Sequence, residues 1–199
     1  MNFRYLLLVP AILLSFIAKS QSNALNFDGV NDFVNVNPMM PYSGDFTLET
    51  WFNTSDPNTT FFAWGGPGVN NYLNFGLNTG QPRLALGNGT NISQLDGIGN
   101  WNDGTWHHIA VTKSASTVLF YVDGLAAGSG VVTNSAGAYS FSSIGAGLFN
   151  NIMQGFAPLS MDELKIWNVA KSAAYFSSNY NCNLEIGRAS CRERVCYVV

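Results

Sequence analysis

Few residues in this chain can do acid–base or metal chemistry, and their spacing sets narrow limits. His107 and His108 are the only histidines, and they are neighbours. Adjacent residues of a strand point to opposite faces, so the pair cannot chelate one ion. His107 shares a side with Ile109 and Val111 and reads as a hydrogen-bonded core histidine rather than a base. Glycoside hydrolysis needs two carboxylates about 5–9.5 Å apart, aimed at one bond. Glu49 is the single acid of its run, and the adjacent Asp162 and Glu163 face opposite sides of a strand. There is no G-x-S-x-G string. Gly65-Gly66-Pro67-Gly68 lacks the lysine of a phosphate loop and reads as a turn. These residues assign no catalytic group.

The aromatic residues offer a different chemistry. Phe61, Phe62, Trp64, Tyr72, Phe75 and Trp101 crowd the middle of the chain. Sugar binding uses exposed aromatic faces, with Asn and Asp as hydrogen-bonding partners. Trp64 and Trp101 border Asn- and Gly-rich loops and are the candidate ligand-binding rings. The competing reading puts the whole cluster in a core, because aromatic side chains dominate sandwich interiors.

Such rings would be positioned by short strands. Runs of strand pattern lie near 24–27, 33–36, 46–52, 61–64, 72–77, 83–86, 106–113, 117–122, 141–144 and 160–167. Asn, Gly, Pro and Ser clusters separate them, which predicts an all-β chain folded as an antiparallel β-sandwich. The clearest stretch is Asn102 to Gly124, two alternating runs joined by Ser114 to Ser116. Asp103-Gly104 precedes it and Asp123-Gly124 ends it, and Asp-Gly supplies the positive φ angles of a tight turn. Val118, Phe120 and Val122 share one face of the second run, with Leu119 and Tyr121 opposite. A strand apolar on both faces is expected to lie between two layers. Only Val169 to Tyr175 reads as a helical turn, and no internal repeat is visible.

Four blocks carry a family resemblance. Residues 102–124 resemble the W-H-H-V-A-V-T…L-Y-V-D-G hairpin of laminin-G-like jelly rolls, relatives of concanavalin-A-type lectins and glucanases. Leu25 to Val36 resembles the family's opening L-x-F-D-G-x-x-D-Y-V. Phe46 to Phe52 resembles F-T-x-E-x-W, and Met161 to Asn168 resembles I-D-E-V-R-I-W-N. They occur in the family's order across roughly residues 24 to 175. The resemblance implies a concanavalin A-like jelly roll whose first and last strands lie side by side. Relatives hold a structural calcium ion on a carboxylate at such a place, which makes Asp162 the best single candidate, with Asp28 and Asp32 nearby. Calcium takes six to eight oxygens, and Asp28-Gly29 offers a carboxylate and carbonyls. The simpler reading is that Asp28 and Asp32 cap turns through backbone amides. Laminarinase-type relatives place their acids as E-x-D-x-x-E, and no such string occurs here. Trp51, Trp106 and Trp167 fall on framework positions of the family and are assigned to packing.

The two ends read differently from the middle. Arg4 precedes an apolar run from Tyr5 to Ile17, and Ala18 and Ser20 stand where a signal peptidase reads. The run is shorter than the about 20 residues of a spanning helix. Residues 1–22 are therefore expected to be a signal peptide, residues 23–184 the domain, and residues 185–199 a non-native tail. Arg188, Arg192 and Arg194 break a composition with four basic residues in the domain. Back-translated, residues 185–195 resemble a widely used short-read sequencing adapter apart from the first base. The natural protein is then expected to be longer.

Ten acids against four bases give the 23–184 domain a net charge of −6, a poor match for nucleic acid. Its 162 residues suffice for one domain that buries around 70% of its unfolded surface. Cys182 is the one cysteine of the domain and is assigned no disulfide. Asn53, Asn58, Asn88 and Asn91 begin N-x-S/T sequons. The expected function is an exported, non-catalytic module that binds a glycan or an extracellular or surface protein. The alternatives are a glycan-cleaving hydrolase of the same fold and a ligand-free structural or adhesion domain.

Overall fold

The computed structural model describes residues 24–36, 44–66, 69–134, 141–149 and 152–180. The expected signal peptide, the tail, Cys182, Pro67 and Gly68 lie outside the described residues. The strands are β1 (Leu25–Asp28), β2 (Val34–Val36), β3 (Phe46–Asn53), β4 (Thr59–Gly65), β5 (Tyr72–Asn78), β6 (Gln81–Gly87) and β7 (Ile92–Asp96). They continue with β8 (Trp106–Ser114), β9 (Thr117–Val122), β10 (Leu125–Val131), β11 (Phe141–Ile144), β12 (Gly147–Phe149), β13 (Ile152–Gln154) and β14 (Pro158–Trp167). A single helix among the described residues, α1 (Ala173–Asn179), follows.

Two six-stranded antiparallel sheets face each other. The first has the order β1-β14-β3-β8-β9-β10 and the second β2-β11-β4-β5-β6-β7. The expected sandwich is therefore present, with first and last strands paired. The strand reading missed β7, β10, β12 and β13. No helix among the described residues is long and apolar enough to cross a membrane.

Local chemistry accounts for the hairpins. Asp123 and Gly124 link β9 to β10 with φ of 48° and 76°, the two positive values of a type I′ turn. Thr79 and Gly80 do the same between β5 and β6, at 50° and 82°. The β8–β9 connection narrows to Ala115-Ser116. Asp45 holds it by accepting from the Ala115 N–H at 2.8 Å and the Ser114 hydroxyl at 2.9 Å.

Alternation along β3 sends Phe46, Leu48 and Phe52 inward and Thr47, Glu49 and Trp51 outward. Phe52 meets Phe61 of the facing sheet at 4.7 Å between ring centroids, and Phe61 meets Phe75 at 5.6 Å. Burying each such ring stabilises the fold by about 1.5–3 kcal/mol. β9 is covered on both sides, as its pattern predicts, though unevenly. Val118, Phe120 and Val122 enter the core, and Tyr121 lies under α1, while Leu119 stays 36% exposed.

The helix runs later than its reading at 169–175. Ser172 caps it by accepting from the Tyr175 N–H, which moves the start to Ala173. Phe176 is fully buried and stacks on Tyr121 at 4.4 Å, so α1 seals part of the first sheet's outer face.

Candidate functional site

The predicted ligand-binding rings do not stand in solvent together. Trp64 is 1% exposed and meets Phe62 edge-on at 4.5 Å. It occupies an inward position of β4, level with Leu73 and Leu86 in the core. The expectation of an exposed Trp64 is corrected: bordering a loop does not decide which face of the strand a ring takes. Trp101 is half-buried against the same core. Its indole N–H donates to Ile98 O at 3.0 Å, and its ring meets His107 edge-on at 5.2 Å. Trp106, assigned to packing, is 43% exposed on the outer face at the start of β8.

His107 is hydrogen-bonded as expected. Its Nδ1 lies 2.7 Å from Asp123 Oδ2, and its Nε2 lies 3.1 Å from Thr105 Oγ1 and 3.3 Å from Asp103 Oδ1. The Thr105 hydroxyl and N–H, followed by His107, hold the exposed Asp103 carboxyl below its usual range. This cluster ties the 103–105 loop and the β9–β10 turn to β8.

The calcium candidates are dispersed. Asp28 Oδ1 accepts from the Val30 N–H at 2.8 Å, and Asp32 Oδ2 accepts from the Asp28 N–H at 3.1 Å, the bonds of turn caps. In the β1–β14 register Asp28 faces Pro158 and Leu25 faces Met161. Asp162 therefore lies past the opposite end of β1 from Asp28. Its Oδ1 accepts from the Glu163 N–H at 2.8 Å inside a bulge where Glu163 has φ of 50°. Among the described residues no three His, Cys, Asp or Glu side chains are grouped to hold a metal ion.

Glu49, seen in the sequence only as a lone acid, is 1% exposed beneath α1. Its Oε1 accepts from the Trp167 indole at 2.8 Å and the Tyr175 hydroxyl at 2.9 Å. Its Oε2 lies 3.1 Å from His108 Nε2. Burial would raise its pKa. The His108 hydrogen bond, the Lys165 and His108 charges and the Trp167 N–H outweigh burial and hold it below the ordinary value. Lys171 Nζ lies 3.9 Å from the Trp167 ring centroid, outside the same network. This site fastens the helix to the first sheet.

A cavity of about 160 Å³ lies on the second sheet's outer face. Asn74, Ala85 and Gln94 form one cross-strand row over β5, β6 and β7. Tyr72 and Arg83 are two residues from Asn74 and Ala85 and so share that face, while Leu73, Phe75, Leu84 and Leu86 point into the core. Asn58 and Asn78 close one end and Gly155, just after β13, lines the margin. The side chains are held in place. The Asn74 amide donates to Thr60 Oγ1 at 2.9 Å. Arg83 makes a two-pronged pair with Asp96, Nε to Oδ1 at 2.6 Å and Nη2 to Oδ2 at 2.8 Å. That pair raises the Arg83 pKa further. Burial pushes the Tyr72 phenol up, partly offset by its hydrogen bond with Gln94 and by Arg83. The site thus offers amides, hydroxyls, a phenol and a guanidinium whose charge is already matched. Sequence reasoning missed it, although the polar–apolar alternation Tyr72-Leu73-Asn74-Phe75 was a usable signal.

Comparison with known proteins agrees with this architecture. Domain 4 of AbnA, a GH43 extracellular arabinanase from Geobacillus stearothermophilus solved with arabinotriose, is 21% identical. The match covers 78% of this chain and 75% of that one, with a TM-score of 0.61. The CBM40 of a Ruminococcus gnavus IT-sialidase is 11% identical over 69% of this chain and 83% of its own, with a TM-score of 0.60. The LG4-5 domains of the mouse laminin alpha1 chain are 12% identical over 75% of this chain, with a TM-score of 0.61. This chain spans 43% of that laminin fragment, and 27% of the matched NanB sialidase chain. At such identities the likeness shows the fold alone. No curated protein sequence matches the chain. Residues 26–175 match the laminin G model described as the concanavalin A-like lectin/glucanases superfamily, and the chain belongs to that family.

Proposed function

We propose that this chain is an exported, non-catalytic module that binds a neutral oligosaccharide in the groove on the second sheet. One observation carries the reading: Tyr72, Asn74, Arg83 and Gln94 line a cavity on the outside of a sheet, with Tyr72 bonded to Gln94, Asn74 to Thr60 and Arg83 to Asp96. Fixed polar groups converging on a small cavity are what a specific site requires. The lining contains no carboxylate, which supports binding over hydrolysis. Arg83 is ion-paired to Asp96, and the domain is acidic, so an uncharged hydroxyl-bearing ligand fits better than an anionic sugar. The volume lies below the about 300 Å³ at which drug-sized pockets begin, so the groove takes one ring or one chain end. The arabinotriose bound to the arabinanase domain is a ligand of this class. Export rests on the apolar N-terminal run and on the extracellular origin of that neighbour.

Retention of the protein on immobilised arabinotriose, cellotriose and sialyllactose tests the reading. A neutral trisaccharide should be retained and sialyllactose should not. Gln94→Ala and Arg83→Ala should each weaken retention about 2- to 10-fold, the worth of one hydrogen bond. Neither should lower stability by more than about 1 kcal/mol, because the Arg83–Asp96 pair is partly exposed. Retention of sialyllactose alone, or variants that bind like the parent, would overturn the groove assignment.

A further inference from the structure

The register of the first sheet lines up four side chains that the groove does not use. Asn26 of β1 faces Ser160 of β14, Ser160 faces Asn53 of β3, and Asn53 faces Trp106 of β8. Directly opposed residues put their side chains on one face, with Cβ atoms about 4.5–5.5 Å apart. The neighbours Phe27, Met161, Phe52 and Ile109 point into the core, so this row looks outward. It is a polar strip that ends in an indole.

The indole is open. Trp106 is 43% exposed, and no aromatic ring among the described residues stacks on it. Further along the same face Tyr121 and Trp167 are covered by α1 and its flanks, and the cover reaches His108, while Trp106 stays open. Beside the row lies an open cavity of about 580 Å³, lined among others by Asn26, Asn53, Ser55, Asp56 and Ser160. The polar groups are ordered before any ligand arrives. The Asn53 amide donates to Gly104 O at 2.9 Å and the Ser160 hydroxyl to Asn26 Oδ1 at 2.6 Å. Asp56 Oδ1 accepts from the Asn58 N–H at 2.8 Å. Groups already held in place lose little freedom on binding.

We infer that this strip is a second saccharide-binding surface, where a neutral sugar lays its C–H face on Trp106 and its hydroxyls bond to Asn53, Ser160 and the 54–57 loop. The chemistry selects a sugar: a flat apolar face next to amides, hydroxyls and one carboxylate matches a ring that is apolar on its faces and hydroxylated at its edge. Asp56 and the acidity of the domain exclude an anionic one. The surface uses side chains that the groove does not, although the two linings meet at the 56–58 turn, where Asp56 borders one and Asn58 the other. The Arg83→Ala variant therefore decides whether they act separately.

The test follows the Trp106 indole N–H by NMR, its signal identified by its loss in Trp106→Phe. Arabinotriose, cellotriose, N-acetylchitotriose and sialyllactose are titrated in turn. At least one neutral trisaccharide should shift the signal saturably, and the shift should persist in Arg83→Ala. Asn53→Ala should weaken that titration about tenfold while the protein stays folded at the titration temperature, losing no more stability than its one hydrogen bond to Gly104 O accounts for. If the protein binds a trisaccharide and the Trp106 signal does not move, the second surface is refuted and the groove stands. If Arg83→Ala abolishes the shift, Trp106 reports on the groove and the inference fails. It fails equally if no sugar in the panel moves the signal.

Discussion

Removing the Glu49 carboxylate should destabilise the domain more than any other single carboxylate change described here. Glu49→Ala strands the donors that it accepts from: the Trp167 N–H at 2.8 Å, His108 Nε2 at 3.1 Å and the Tyr175 hydroxyl at 2.9 Å. Trp167 is 7% exposed and His108 1%, so neither donor can turn to bulk water. Tyr175 is half-buried, and its hydroxyl can. Each buried donor left unsatisfied costs about 1–3 kcal/mol, and a small void adds to this, so the loss is about 3–6 kcal/mol. That is a large part of the about 5–15 kcal/mol that holds a typical domain together. Glu49→Gln is milder. Its carbonyl can still serve Trp167 and Tyr175, and only the His108 bond is lost, because a proton moved to the buried His108 Nδ1 would find no partner there. About 1–2 kcal/mol should go with the charge.

The pH dependence separates this account from a simple packing effect. The folded-state pKa of Glu49 lies below the ordinary 4.5. A carboxylate with a depressed pKa contributes its stability fully above the unfolded value, and loses it as pH falls through the folded value. Glutamine does not titrate. The gap in unfolding free energy between the parent and Glu49→Gln should therefore be widest above about pH 4.5 and close as the pH drops below it. Urea titrations at a series of pH values measure it. A gap that stays constant or widens on acidification would refute the reasoning. So would a Glu49→Ala variant that loses less than about 1 kcal/mol.

Gly124→Val should lower the denaturation midpoint by the equivalent of at least about 1–2 kcal/mol, because a β-branched residue resists positive φ. A Cβ there would also come within 2.6 Å of Tyr180 Cδ1 and 3.1 Å of Phe176 O, so a neutral variant would show the turn is misread. Trp64→Ala should cost about 3–5 kcal/mol in a melting or urea experiment, whereas the exposed Trp106→Ala should cost far less; equal losses would contradict the burial assigned to the two rings. EDTA should leave the melting curve unchanged, since Asp28 Oδ1, Asp32 Oδ2 and Asp162 Oδ1 each accept from a backbone N–H and Asp162 lies past the far end of β1 from Asp28. A drop that calcium reverses would show a bound metal.

The parts of this fold that were legible in the sequence are those decided within a few residues. Asp123-Gly124 announced a turn because the conformation it needs is a property of those two residues. Alternation in β8 and β9 announced strands for the same reason. The partners of Glu49 were hidden because they lie 59, 118 and 126 positions away and meet it only when β8, β14 and α1 dock. Trp64 and Trp106 look alike in sequence, each next to a glycine-bearing loop. What separates them is which face of its sheet each takes, and whether a second layer covers that face.

Cover also determines where a ligand can bind. Both sheets turn their apolar faces inward, so any site must lie on an outer face or at an edge. On the first sheet α1 claims the region around Ala110 and Tyr121, and the Glu49 network locks it there. That leaves the strip from Asn26 to Trp106. On the second sheet the outer row carries Asn74 and Gln94 rather than the apolar residues a covering helix would need. The groove stays polar although Tyr72 and Asn74 are each only 7% exposed, because its groups bond to one another and to Thr60 and Asp96. A Gln94→Leu, Asn74→Leu double variant should keep the core intact, because Leu73 and Phe75 still point inward, and lose neutral-sugar retention. Retention that survives in that variant would place binding elsewhere on the domain. The Trp106 strip would then be the only surface described here that could account for it.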